Sequence, residues 1–236
     1  MALILLASGG PTYAHDHAAT AVTITELLTQ AGHVIVATTT HFSEFTEVLA
    51  ETRPDAIVMH ALWWRMVADR YADIRDEWAY ESPTELREAL AGFVASGGAL
   101  VALHTSTICF DDWAGWGEIV GGQWNWDRSF HPPLGPVSVV VGPVGHTVTD
   151  GLADYETIDE VYAHLDLQPD VVPLAFGLHS DGSRHPILWT RFFGAGRVAY
   201  LGLGHDSKSL STPATAEILR RCVAWAVDSS EASLSS

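Results

Sequence analysis

Lysine is all but missing from this chain. Lys208 is the single one, and Lys and Arg together number 12 against 29 Asp and Glu, for a formal charge of −17. Nucleic-acid binding by counterion release needs clustered Lys and Arg, so charge excludes that class of partner. An anionic membrane surface would repel the chain for the same reason. Cysteine is scarce as well. Cys109 and Cys222 form neither a C-x-x-C pair nor a disulfide framework. Apolar runs are short, and none approaches the roughly 18 residues that a membrane helix needs. The opening MALILLASGG lacks a positive n-region, and Ala2–Ala7 is short for the apolar core of a secretion signal. It reads as a buried first strand ended by Gly9–Gly10, and the expected compartment is the cytoplasm. No G-x-G-x-x-G, G-K-[ST] or G-x-S-x-G stretch occurs, so no nucleotide cofactor is expected.

What is present is an ordinary globular composition, 47% hydrophobic and 17% charged over 236 residues. That length buries enough surface to fold without disulfides. A single domain is expected over residues 1–228, followed by a short polar tail, 229–236. Short apolar runs alternate with helix-length segments. Strands are expected at Leu3–Ala7, His33–Ala37, Ala56–His60, Ala99–Leu103, Val137–Val141, Val171–Phe176, Ile187–Arg191 and Arg197–Leu201. Several are continuous Val, Ile and Leu runs, as strands covered on both faces require. Helices are expected at Ala18–Gln30, Ser43–Glu51, Pro83–Ala95 and Thr212–Val227. The third has Ser82 as N-cap, Pro83 in the first turn and Glu85 completing a capping box. This alternation predicts an α/β fold: a doubly wound, mostly parallel, flavodoxin-like three-layer sandwich. Its ligands would bind beyond the carboxyl ends of the strands.

Twelve histidines stand out, and six flank predicted strand ends or loops: His15, His60, His104, His131, His185 and His205. A single histidine at a strand end is ordinarily structural. His104 differs because it directly follows a buried strand, at the sharp turn that exposes nucleophiles in α/β hydrolases. His205–Asp206 and His15–Asp16 are His–carboxylate pairs after other strands, and Asp159–Glu160 is an acidic pair just before Tyr162. His17, His33, His41, His164 and His179 read as structural or exposed. Trp63–Trp64 follow the third strand. The long segment Phe110–Pro136 carries Trp113, Trp116, Trp124 and Trp126, and its length suits a functional loop.

The run GGALVALHTST (97–107) resembles the GGG-hydrophobic-LH stretch of the ThuA-like (trehalose-utilisation) family, within the class I glutamine-amidotransferase-like superfamily. Four further stretches fit: Ser8–Asp16, Gly121–Pro132, His146–Tyr162 and RHPILWTRFFGAGRVAYLGLGHDSKS (184–209). The resemblance spans about Ala2 to Ala226. Amidotransferases of this superfamily place a nucleophilic Cys where His104 stands here, and their triad His falls near His205, so the resemblance implies lost glutamine hydrolysis. It also implies a role in sugar or keto-sugar catabolism, with an oxidised (3-keto) glycoside as the expected substrate. The rival expectations are a non-catalytic sugar-binding or regulatory module, and a divergent hydrolase using Thr105 or Ser106.

The chemistry expected of these residues is proton transfer near neutral pH, by isomerisation or by elimination and hydration. The candidate catalytic set is His104, His205, His15, Asp16, Asp159 and Glu160. Gly9, Gly10, Trp63, Trp64, Trp124, Trp126, His131, Tyr162 and His185 are the candidates for holding substrate, because indole faces suit the C–H face of a sugar. His15, His104 and His205 also suit a divalent metal such as Zn²⁺. The aromatic loop would serve an interface as readily as a pocket, so a homo-oligomer is a further expectation.

Overall fold

A computed structural model describes residues 1–143 and 145–228. The expected polar tail at 229–236 lies outside the described residues.

Nine strands form one sheet in the order β2-β1-β3-β4-β11-β10-β9-β6-β7. In chain order these are β1 (Leu3–Gly9), β2 (Val34–Thr39), β3 (Ala56–Ala61), β4 (Ala99–Leu103), β6 (Gly135–Val141), β7 (Tyr155–Asp159), β9 (Val172–Leu178), β10 (Arg184–Phe193) and β11 (Gly196–Leu201). Two short strands, β5 (Gly122–Gln123) and β8 (Asp166–Leu167), pair separately. The helices are α1 (His17–Gln30), α2 (Phe45–Thr52), α3 (Arg75–Trp78), α4 (Thr84–Ala95), α5 (Ala114–Val120), α6 (Ser207–Leu210) and α7 (Pro213–Val227). The α/β sandwich expected from the sequence is present, and each of the eight expected strands is found within a few residues of its expected place.

The sheet is parallel only from β2 to β11; the pairings of β11 with β10, β10 with β9, β9 with β6 and β6 with β7 are antiparallel. That second half has no crossover helices, because β9 and β10 are joined by a five-residue turn, too short for a parallel return. Alternate reversals bring β9 and β7 back to the direction of β11. The carboxyl end of β7 therefore faces the same rim as those of β1, β3, β4 and β11.

Why the central strands read as unbroken apolar runs is visible in their packing. Ile4, Leu6, Val58, Val101 and Leu103 turn to a layer with Ile24, Leu28, Leu219 and Val223 of α1 and α7. Leu5, Ala7, Ile57, Met59, Leu100 and Ala102 turn to the opposite layer, against Leu86 and Leu90 of α4 and Trp116 and Ile119 of α5. Both faces being buried removes the polar alternation.

One expected cap is corrected. Ser82 does not cap α4: Pro83 stands at the N-cap, where no side chain caps the helix. The Ser82 hydroxyl donates instead to Asp112 at 3.0 Å and receives a bond from Arg87. Its oxygen thus accepts from a charged guanidinium, a stronger donor than a helix amide.

Candidate functional site

Three strand ends and one returning segment build the site. β4 ends at Leu103, and His104 follows with φ 44°, a left-handed conformation that a side chain other than glycine adopts rarely. This strained turn aims the imidazole across the rim while the residue is fully buried. Its Nδ1–H donates to the Gly202 carbonyl at 2.9 Å, which fixes the tautomer and leaves a lone pair on Nε2. His15, in the loop between β1 and α1, is held likewise: Nδ1–H donates to the carbonyl of His205 at 3.2 Å. The rings of His15 and His205 are 4.5 Å apart and those of His15 and His104 5.2 Å apart.

Glu160, just past β7, completes the group. Its Oε2 lies 3.3 Å from His205 Nδ1, 3.5 Å from His131 Nδ1 and 3.7 Å from His104 Nε2. The His205 contact is close but not aligned as a hydrogen bond. Burial pushes the Glu160 carboxyl up, but contact with His104 and His205 outweighs it and holds the group well below the usual carboxylate range. The same carboxylate raises His205, against the opposing effect of burial. His15 is pushed down to about 3 by burial and by the charges of His104 and His205. One donor atom each from His15, His104, Glu160 and His205 falls within 4.8 Å of the others. Three imidazoles, two of them oriented by backbone carbonyls, and one carboxylate make a donor set that suits a divalent transition metal.

Above this floor opens a cleft of about 360 Å³. Trp64, Trp124, Trp126, His131 and Tyr162 line it, as does Tyr71. Trp64 stacks on Trp126 with centroids 6.3 Å apart, and the Tyr162 hydroxyl reaches His104 Nε2 at 3.3 Å. A larger hollow of about 740 Å³ lies at the amino ends of the strands, around Met1, Pro54, Gly97 and Arg197. It is the wrong end of a sheet of this kind for ligand binding, and the His/Glu group is not part of it.

Several sequence candidates fall elsewhere. Asp16 is exposed and caps α1, accepting from the Ala19 amide at 3.0 Å. Asp159 is buried and organises backbone: it accepts from the amides of Gly204 (2.7 Å), Glu160 (2.7 Å) and His205 (3.3 Å), and from the Ser209 hydroxyl. Trp63 packs away from the cleft, against Trp78, Tyr80 and His41. His185 joins a separate group with His164 and His179. Gly9 is required by packing, since a Cβ there would sit 1.7 Å from the Thr40 carbonyl oxygen, and a Cβ on Gly10 would strike the Leu62 carbonyl oxygen at 2.6 Å. Thr105 and Ser106 donate to the carbonyls of Ala61 and Met59, both at 2.8 Å, so neither hydroxyl is presented as a nucleophile. Cys109 is buried, its thiol pushed up to about 12.

In the sequence His17 reads as structural or exposed. It is buried beside His15 and His60 (ring centroids 5.7 and 5.3 Å), with both ring nitrogens unpartnered. Tyr13, Leu62, Arg70, Tyr71 and Ile108 also line the cleft without having been singled out in the sequence. The length of the connector between β3 and α4 was the available signal, the same one that marked Phe110–Pro136.

The model of the family described as "Trehalose utilisation", ThuA, matches residues 3–226. The chain belongs to the ThuA family. Solved structures agree with that membership in fold. A ThuA-like protein of Parabacteroides merdae has a TM-score of 0.76 at 17% identity, with 96% of this chain and 90% of that one covered. A cytoplasmic protein of Salmonella typhimurium has a TM-score of 0.59 at 16% identity, with 95% and 96% covered. A cold-adapted β-galactosidase of Rahnella has a TM-score of 0.57 at 14% identity; there the match takes in 95% of this chain but 31% of the enzyme. None of the curated proteins matches the sequence. Among the described residues no helix is long and apolar enough to cross a membrane.

Proposed function

We propose that this ThuA-family protein acts on an oxidised (3-keto) glycoside, by isomerisation or by elimination and hydration, using acid–base groups around Glu160. The observation that carries the reading is the gathering of His15, His104, Glu160 and His205 within 4.8 Å beneath an aromatic cleft. The fold likeness to a domain-sized part of a β-galactosidase bears on fold alone; the trehalose-utilisation family supports a sugar as substrate.

A ketone at C3 acidifies the hydrogen on C2. The His104 Nε2 lone pair or the ionised Glu160 carboxylate takes that proton, and its electron pair forms the enolate. Expulsion of the C1 substituent follows, with His205 giving its proton to the departing oxygen. Its charged form is favoured by Glu160, which suits it to be the acid. Water then adds at C1 of the resulting enone, and a proton returns to C2. Tyr162 and the indoles of Trp64, Trp124 and Trp126 exclude water and orient the ring. A divalent metal held by His15, His104, Glu160 and His205 would instead supply an electrophile for the substrate oxygens, those groups then serving as its ligands in place of base and acid. Imidazole and carboxylate donors suit Zn²⁺, Mn²⁺ or Ni²⁺.

The test is NMR of the protein with 3-keto-trehalose and with trehalose, beside His104→Ala and Glu160→Gln. Conversion of the keto sugar alone, lost in both folded variants, is the expected result. Binding of the keto sugar with no conversion, under every metal supplied, would replace an enzyme with a sugar-binding module.

A further inference from the structure

We infer that the cleft takes a sugar bearing a negative charge, a carboxylate or a phosphate, and that Arg70 is the residue that selects it. This rests on the reading of the cleft as a sugar site and narrows it to an acidic class.

Arg70 is the one Lys or Arg lining the cleft. The chain carries 29 Asp and Glu against 12 Lys and Arg, so a cation at a cleft is a scarce resource in this protein. Arg65, Arg87, Arg128, Arg191, Arg220 and Arg221 each pair with Asp or Glu. Arg75 is spent on three backbone carbonyls, those of Met66, Val67 and Ala68. Arg70 has none of these among the described residues. Its one contact is aromatic: the guanidinium carbon stands 4.8 Å over the ring of Tyr71.

That contact also places it. Tyr71 packs edge-on against Trp64 at 5.4 Å, and Trp64 stacks on Trp126. Arg70 is thus the charged end of the same aromatic wall that would cover a sugar face. It shares the cleft lining with Tyr13, Trp64 and Trp126. A guanidinium stacked on a ring keeps its in-plane N–H fork free, the geometry that grips a carboxylate or phosphate. Across the cleft Glu160 is ionised but enclosed by three imidazoles, which offset its repulsion of an anion. A protein of charge −17 repels anionic ligands at long range, so selecting one requires a local cation.

The experiment is calorimetric titration of the whole protein with glucuronate, glucose 6-phosphate and glucose, repeated with Arg70→Gln. Glucuronate or glucose 6-phosphate should bind roughly tenfold or more tightly than glucose, as a charge-assisted hydrogen bond provides. Which of the two leads identifies carboxylate or phosphate as the group held. In Arg70→Gln that advantage should vanish, charged and neutral sugars then binding alike, and raising salt should reduce it in the native protein. Equal affinity for charged and neutral sugars would overturn the Arg70 inference and leave the sugar site standing. A preference that survives in Arg70→Gln would also overturn it, the anion then being held by the His/Glu floor. If no sugar of either kind binds, the inference and the sugar reading fall together.

Discussion

His104 donates from Nδ1 to the Gly202 carbonyl at 2.9 Å, so the turn after β4 and the end of β11 are tied across the two neighbouring strands. The consequence is chemical. With its proton fixed on Nδ1, the ring presents an unprotonated Nε2 to Glu160 and Tyr162. The Gly202 carbonyl thus sets the orientation of this imidazole and aims Nε2 into the site.

Replacing His104 by Gln should therefore remove turnover and spare the fold. A lost acid–base group costs about 10²- to 10⁴-fold in rate. Keto-sugar conversion followed by NMR, with circular dichroism to verify folding, reads both. A variant that retains a tenth of native activity would place the proton transfer elsewhere.

The four-donor group should bind one divalent ion per chain. Native protein stripped with chelator and titrated with Zn²⁺, Mn²⁺ or Ni²⁺ is expected to gain heat stability as the ion is added. At 100 times the dissociation constant the gain is about 2.7 kcal/mol. Glu160→Gln and His15→Ala should each weaken the ion, whereas Asp16→Asn should leave it unchanged, because Asp16 only caps α1. Unchanged melting with every ion, together with no bound metal by mass spectrometry, would count against a metal centre.

Acid should destabilise the protein earlier than carboxylate titration alone accounts for. Burial pushes His15 down to about 3, His17 down to about 4, and His60 well below its usual range. In the unfolded chain these groups take protons near pH 6.5. Between that pH and their folded values the unfolded state binds more protons, so stability is full above about 6.5 and falls as pH falls. Each such histidine contributes a slope of up to about 1.4 kcal/mol per pH unit. His205 acts oppositely, since its raised pKa gives stability that is lost as pH rises through the folded value. Urea midpoints from pH 7.5 to 4.5 should drop steeply, and less steeply in His17→Gln. A flat profile down to pH 5 would rule out buried neutral histidines.

Trp64 and Trp63 should separate sharply despite being neighbours. Trp64→Ala is expected to weaken sugar binding by about 0.5–1.5 kcal/mol, the range of an aromatic contact. Trp63→Phe should leave binding unchanged and lower the unfolding midpoint, because its ring packs against Trp78 and Tyr80. Intrinsic-fluorescence titration reads the first and denaturant melts the second. Equal loss of binding in both would mean that the cleft extends behind Trp63.

Much of this protein is legible in its sequence where a local rule acts. Unbroken apolar runs located the central strands because both faces of those strands are covered, and His104 was marked by following a buried strand directly. Ser82 does not cap because its hydroxyl is held between the Arg87 guanidinium and the distant Asp112 carboxylate. Trp63 and Trp64 are indistinguishable in sequence, as are Asp159 and Glu160. In each pair adjacent side chains leave the backbone in different directions, and only one faces the cleft.

The sequence by itself determined the α/β class, the family, and the residue types from which the site is made, because burial periodicity and motif spacing are properties of neighbouring residues. The tertiary structure alone decided which of them meet. Glu160 reaches His104 across 56 residues because antiparallel reversals return β7 to the direction of β11, and His17 is buried because the start of α1 lies against His60 at the end of β3. Arg70 became informative only once the fold placed it in the lining of the cleft. Contacts between residues far apart in the chain depend on strand order and direction, which no local pattern encodes.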